Sequence, residues 1–167
     1  MDAAHFVYGA FLSTLWCFAR LYIPTPCGRQ RFNVLGALNA VSHQMITVTN
    51  TAYINAWSVV DLLRKIRAAT PTGPITVILD NARYQKCHLV QCAAAMESIE
   101  LMYLPTYSPN LNLIERAWKF IKKKSLNSRT HTDFTSFCNA INGCIVGFDG
   151  EHKKELDTLM TWNFQAF

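Results

Sequence analysis

"VILDNARYQK", residues 77–86, and "YLPTYSPNLNLIERAWKFIKK", residues 103–123, decide how this chain is read. Each opens on an apolar run that stops abruptly, one at Asp80 and the other in a proline-containing loop ahead of Glu115. The run "ITVILD" predicts a strand buried on both faces, with helices covering it. Asp80 then stands as the last residue of that strand, at the carboxyl edge where open α/β sheets bind ligands. Each acid also has a plainer reading. Asp80–Asn81 is a turn signal, and Asn112 three residues before Glu115 has the pattern of a capping box.

Working outward, "AHFVYG", "LWCFARLYIP", "RFNVLGALNA" and "QMITVTN" are closely spaced apolar segments, the last two joined near Ser42–His43. They predict an antiparallel meander. The period then changes. "AYINAWSVVDLLRKIRAAT" reads as a helix with Ile54, Trp57, Leu63 and Ile66 on its apolar face, stopped by "PTGP". "KCHLVQCAAAMES" reads as helix, "IELMYLP" as a buried strand and "NLIERAWKFIKKKSL" as helix. The tail segments "TDFTSFCNAINGCIVGF", weakened by Gly143, and "KKELDTLMTWNF" are helical too. The fold class is α/β, a mixed sheet with an antiparallel meander plus parallel strands, helices on both faces and a helical C-terminal tail. Phe148, Leu156, Leu159, Met160, Trp162 and Phe164 of the tail are expected on the core or against a second subunit.

A chain of 167 residues, 50% hydrophobic, supports one core and one domain, residues 1–167. "FLSTLWCFARLYI" is interrupted by Arg20 and reads as strand rather than membrane span, and Asp2 and His5 stand where a secretory signal needs basic residues. Six cysteines, at 17, 27, 87, 92, 138 and 144, form no CxxC pair, so free thiols in a reducing compartment are expected. His88 and Cys92 are four apart, too few ligands to argue for a metal. A GxxxxGK loop is absent, and no Ser/His/Asp set stands at a recognisable spacing.

The net charge of +5 permits a polyanionic partner. "RAWKFIKKKSLNSR" gathers Arg116, Lys119, Lys122, Lys123, Lys124 and Arg129 directly beside Glu115. At about 100° per residue from Ile114, the residues Leu111, Trp118 and Ile121 form a core stripe, with Glu115 and Lys122 at its border and Lys119 slightly further out. Lys119 and Lys122 are therefore candidate DNA contacts, with Lys123 and Lys124 facing outward or onto flanking phosphates. Arg29 and Arg31 add positive charge after "PTPC".

A third acid is Asp2. Strand alternation puts Asp2, Ala4 and Phe6 on one face, and an inward carboxylate is expensive unless paired or metal-bound; a solvated terminus is the plainer reading. Three separated carboxylates suit two divalent cations about 4 Å apart for in-line phosphoryl transfer. Magnesium takes such hard oxygen ligands.

The two opening segments resemble the second and third catalytic blocks of mariner-type insertion-sequence transposases, which are DDE endonucleases with an RNase H-like fold. Between Asp80 and Glu115 lie 34 residues (81–114), the spacing typical of the bacterial members. "MDAAHFVYG" and "RFNVLGALN" resemble the first block and the strand after it, so the resemblance runs from residue 2 to about residue 125. "YSPNLNLIE" is its most specific part. It implies that Asp2, Asp80 and Glu115 are the catalytic, metal-binding acids, served by Mg2+ with Mn2+ able to substitute. It implies double-stranded DNA as partner, both transposon ends and target, cut and then joined through free 3′-hydroxyls by a homodimer in the bacterial cytoplasm, at the nucleoid. Arg83 stands near a histidine of the family and is expected to contact phosphate; Leu113 replaces a common proline.

The helix-turn-helix region of such proteins does not precede Asp2, so the chain is expected to be the catalytic domain alone. The usual apolar lead-in to the first acid is missing as well. Asp2 is therefore expected to fray, leaving weak, non-specific nicking. Two alternatives share the fold: a catalytically impaired DNA-binding or assembly remnant, and an RNase H-like nuclease acting on RNA/DNA hybrids.

Overall fold

The computed structural model describes residues 1–9, 18, 22, 30–105 and 111–161. Apart from Phe18 and Tyr22, the expected strand "LWCFARLYIP", along with Arg29, Cys17, Cys27, Trp162 and Phe164, lies outside these residues. The sheet opens with the expected meander: β1 (Asp2–Val7), β2 (Arg31–Leu38) and β3 (Met45–Asn50). β2 pairs antiparallel with both neighbours, Asp2 opposite Gly36 on one side and Gly36 opposite Thr47 on the other. The β2–β3 turn is held by Asn39, whose side chain accepts from the Val41 and Ser42 amides. Helix α1 (Ala56–Ala69) leads to β4 (Ile75–Leu79), and α2 (His88–Met96) leads on to β5 (Ile99–Tyr103), parallel to β4. The Met1 nitrogen donates to the Ile78 carbonyl at 2.7 Å, so the start of β1 lies against the end of β4.

Alternation along the strands divides the core. Ala4, Phe6, Phe32 and Val34 pack with helices α3 (Ile114–Ile121) and α4 (Phe134–Val146), while Leu35, Val77 and Leu79 pack with α1 and α2. Helices therefore cover both faces, as expected. α3 widens into a π-helical turn over Lys122–Leu126, and the chain ends its described part in α5 (Lys153–Leu159). α4 runs unbroken through Gly143.

Three expectations need correction. Asp2 does not fray: β1 is paired along its whole length, Met1 is buried, and the Asp2 carboxylate is tied to a buried side chain described below. Trp57 does not belong to the buried face of α1, being 61% exposed, because the face that meets the sheet is Val59, Leu62, Leu63 and Ile66. β4 is not buried on both sides either. Ile78 and its cross-strand partner Met102 are 42% and 50% exposed, so their face stays open among the described residues. The apolar run hid that alternation because isoleucine and methionine occupy outward positions. Between the end of β2 and β4 lies a cavity of about 390 Å3, lined by Met1, Ala37, Leu38, Ile75, Ile78 and Leu111 among others. Leu111, expected on the core stripe of α3, is partly exposed at this cavity.

α1 is started by its own sequence. Asn55 accepts from the Ser58 amide, and Ser58 reciprocates toward the Asn55 amide. At its other end Arg67 donates to the carbonyls of Thr70, Gly73, Glu97 and Ser98, pinning the turn into β4 to the start of β5. Gly73, at φ +92°, supplies the left-handed residue that turn needs.

Candidate active site

The site forms where the two parts of the sheet meet. Asp80 directly follows Leu79, the last residue of β4, at the carboxyl edge expected for a ligand site. Asp2 is the first residue of β1, beside the Met1–Ile78 hydrogen bond. Glu115 is in the first turn of α3, whose Ile114, Ala117, Trp118 and Ile121 are buried against the sheet.

Two side chains from the same stretch reach the strand acids. The Trp118 indole Nε1 donates to Asp2 Oδ2 at 2.9 Å, and Asn112 Nδ2 donates to Asp80 Oδ1 at 3.0 Å. The capping-box reading of Asn112 is thereby overturned. Leu113 takes the cap position without a side-chain bond, and the Glu115 amide bonds the Asn112 backbone carbonyl instead. Asn81 turns its amide away, donating to the Leu104 carbonyl at 3.1 Å. The sequence pattern marks Asn112 as a cap and Trp118 as core, and their bonds to the two aspartates are long-range features of the fold.

Two of the acids are shifted by burial and by neighbouring charge. Burial, opposed in part by hydrogen bonds, raises the Asp2 carboxyl above its ordinary value, and the charge of Asp80 adds to the rise. Burial also raises Glu115, followed by the charges of Asp2 and Asp80; Lys119 and Lys122 pull it back. The Tyr84 hydroxyl is raised by burial and then by the fields of Asp2 and Asp80, which places it at the rim of the same site. Among the described residues none of the three acids makes an ion pair. The Met1 ammonium shares the field of Asp2 and Asp80 as Lys119 and Lys122 share that of Glu115. The donor set itself is all carboxylate oxygen and so fits a hard divalent cation by chemistry. No three His, Cys, Asp or Glu side chains among the described residues are already gathered as a metal cage.

The model of the family described as "DDE superfamily endonuclease" matches residues 19–138, a span that includes Asp80 and Glu115. The chain belongs to that family. The matched span begins after Asp2. Among solved structures, the "Mos1 mariner paired end complex with Mn" is 10% identical with a TM-score of 0.62, covering 97% of this chain and 55% of that one. The Mos1 strand transfer complex is 10% identical at TM-score 0.60, covering 97% and 54%. The simian T-cell lymphotropic virus intasome in complex with the PP2A regulatory subunit B56 gamma is 15% identical at 0.61, covering 89% and 46%. At these identities the likeness establishes the fold, which is RNase H-like, and the chain spans about half the length of the structures it matches. No curated protein matches the sequence.

The remaining candidates separate into groups. Lys119 and Lys122 are exposed, and their charges reach Glu115. Arg83 is exposed in the 3-10 turn Arg83–Gln85, three residues past Asp80. Arg31 is not brought to the acids: it pairs with Val7 at the far end of β1, five strand positions or about 17 Å from Gly36. Arg29 lies outside the described residues. Lys124 is turned toward α5, where it pairs with Glu155 at 2.6 Å. That bond, with further help from Lys124 and Lys123 charge, holds the Glu155 carboxyl below its usual range. The π-helical turn, one residue wider than α-helix, is where the lysine run changes direction. His88 lies 3.5 Å from the Cys92 sulfur, an isolated pair, and Cys87, Cys92, Cys138 and Cys144 are all free. Among the described residues no helix is long and apolar enough to cross a membrane.

Proposed function

We propose that this chain is the catalytic domain, residues 1–167, of a cut-and-paste transposase that hydrolyses phosphodiesters at transposon ends and joins the 3′-hydroxyls to target DNA. The observation that supports this reading is electrostatic: the charge of Asp80 raises the Asp2 carboxyl, and the charges of Asp2 and Asp80 raise that of Glu115, so acids from β1, the end of β4 and α3 lie within reach of one field. These three residues would hold Mg2+, with Mn2+ able to replace it. When bound, such ions activate the attacking water or 3′-hydroxyl and stabilise the leaving 3′-oxygen. The chain's own residues do the remaining work. Lys119 and Lys122 bind the phosphate backbone beside Glu115, and Arg83 contacts the strand near Asp80. Lys123 binds flanking phosphates, while Arg29 and Arg31 serve DNA further from the acids.

Duplex DNA is the substrate in this reading, and two copies act together because two transposon ends must be joined. Its place of action is the bacterial nucleoid, in the cytoplasm. The fixed Asp2 favours an active enzyme over an impaired remnant. A supercoiled plasmid tests the proposal in Mg2+ or Mn2+. Asp80→Ala should slow nicking by about three orders of magnitude, the several kcal/mol that metal-held charge contributes to such a step. Equal nicking by the two proteins overturns the proposal. Cleavage confined to RNA/DNA hybrid would assign the same site to a different nuclease.

A further inference from the structure

The strand acids are contacted from one short segment, the lead-in to α3 and its first turns. Asn112 stands two residues before α3, Glu115 in its first turn and Trp118 one turn further on. The first donates to Asp80, the third donates to Asp2, and the middle one is the third acid. We propose that Asn112 and Trp118 are positioning residues, which fix the Asp80 and Asp2 carboxylates for a divalent cation while Glu115 supplies its own. The inference rests on the three acids being cation ligands, and it adds that their mutual geometry is set from the segment Asn112–Trp118 rather than from the strands.

The two donors are built for the task. Trp118 is 3% exposed and Asn112 6% exposed, so neither hydrogen bond competes with bulk water. A bond to an ionised acceptor is also stronger than a neutral one. Trp118 is itself immobilised, edge-on to Phe6 with ring centroids 6.3 Å apart and planes at 78°. Gly36, directly across from Asp2, makes the room. A Cβ there would stand 2.7 Å from the Trp118 ring and 2.6 Å from the Met45 methyl, closer than real contacts allow. The strand residue facing the first acid is therefore glycine because an indole occupies the space a side chain would take. Each donor engages one oxygen, Oδ2 of Asp2 and Oδ1 of Asp80, leaving the other oxygen of each carboxylate clear of that bond. That is how outer partners orient metal ligands elsewhere, where losing one typically weakens metal binding about 10- to 100-fold.

The test uses Trp118→Phe, which keeps an aromatic ring against Phe6 and removes only the N–H, together with Asn112→Ala. Trp57→Phe, at an exposed indole in helix α1, is the control. Two readouts apply. Mn2+ affinity, measured by calorimetry, should fall about 10-fold or more in W118F and in N112A and stay unchanged in W57F. Without any metal, carboxyl NMR of Asp2 should show its titration midpoint moving to higher pH in W118F, because the indole hydrogen bond favours the charged form. A ring that merely fills space moves neither. An Asp2 midpoint unchanged in W118F overturns the positioning role whether or not Mn2+ binds. A wild-type protein that takes up no Mn2+ overturns instead the reading of the acids as ligands.

Discussion

Asp2→Asn should leave a protein that melts higher than wild type in chelator and cleaves DNA about a thousandfold more slowly in metal. The two effects have one origin. Burial raises the Asp2 carboxyl, with Asp80 adding to it, so the ionised form is costly in the folded state. A raised carboxylate binds its proton more tightly folded than unfolded. Between the ordinary value of about 4 and the raised folded value, the native state holds more protons, and stability falls as pH rises through that window. Above it the full penalty is present. Glu115 contributes with the same sign. Asparagine removes the charge while its amide oxygen still accepts from Trp118. The melting temperature at pH 7 should rise by about 2–4 °C for each kcal/mol relieved in a domain of this size.

The stability difference between D2N and wild type should shrink on acidification through the raised Asp2 value, because protonation removes the charge that burial penalises. Asp133 and Glu155, whose carboxyls lie below the usual range, lose their contribution only at lower pH and cancel in the comparison. Saturating Mn2+ should reverse the order, since a cation that binds only the native state stabilises wild type. Calorimetry across pH 4–8, with and without Mn2+, checks both signs. A D2N melting temperature at or below wild type at pH 7 in chelator contradicts the argument.

The largest structural loss is expected at Phe6→Ala. Phe6 is fully buried on the inward face of β1, between β2 and α3, and carries the edge-on contact with Trp118. Truncating a buried phenylalanine costs about 3–5 kcal/mol through lost transfer energy and the cavity left behind. At about 2–4 °C per kcal/mol the melting temperature falls by roughly 6–20 °C. The ring is also a wall of the pocket that holds the indole, so Mn2+ affinity should fall as well, even at temperatures where the variant is folded. Phe6→Leu, which keeps most of the volume, should recover most of the stability. Denaturant melts of the two variants against wild type decide this.

Much of the architecture was legible because apolar periodicity is local. The 3.6-residue pattern of α1 and α3 and the short runs of β2 to β5 each announce themselves within a few residues. The outward positions were not legible. Ile78, Met102 and Trp57 carry apolar side chains that a pattern counts as core, yet exposed apolar residues are ordinary on protein surfaces. At the site, the segments bearing Asp80 and Glu115 were recognisable as blocks, and the inward face of Asp2 followed from alternation. What the sequence withheld was long-range. Asn112 lies 32 positions from Asp80 and Trp118 lies 116 from Asp2, and no local rule predicts hydrogen bonds across such separations. The cap pattern at Asn112 was real as a pattern, but a buried carboxylate is a stronger acceptor partner than a backbone amide is a donor. The fraying expected at Asp2 failed for a similar reason, because strand pairing and an indole from far along the chain hold it.

The sideways turn of the lysine run has a consequence for counterions. Along the sequence, Arg116 to Arg129 offer six cations, which as phosphate partners would give a slope of about −5 in a plot of log affinity against log salt. Arg116, however, donates to the carbonyls of Leu159 and Thr161, and Lys124 is neutralised by Glu155. With four cations offered, the slope becomes about −3.6. Glu155→Gln, by releasing Lys124, should steepen it by about one unit while leaving the acids near Glu115 untouched. The charge written in this chain exceeds the charge it presents to a polyanion, and salt titration is the measurement that separates the two.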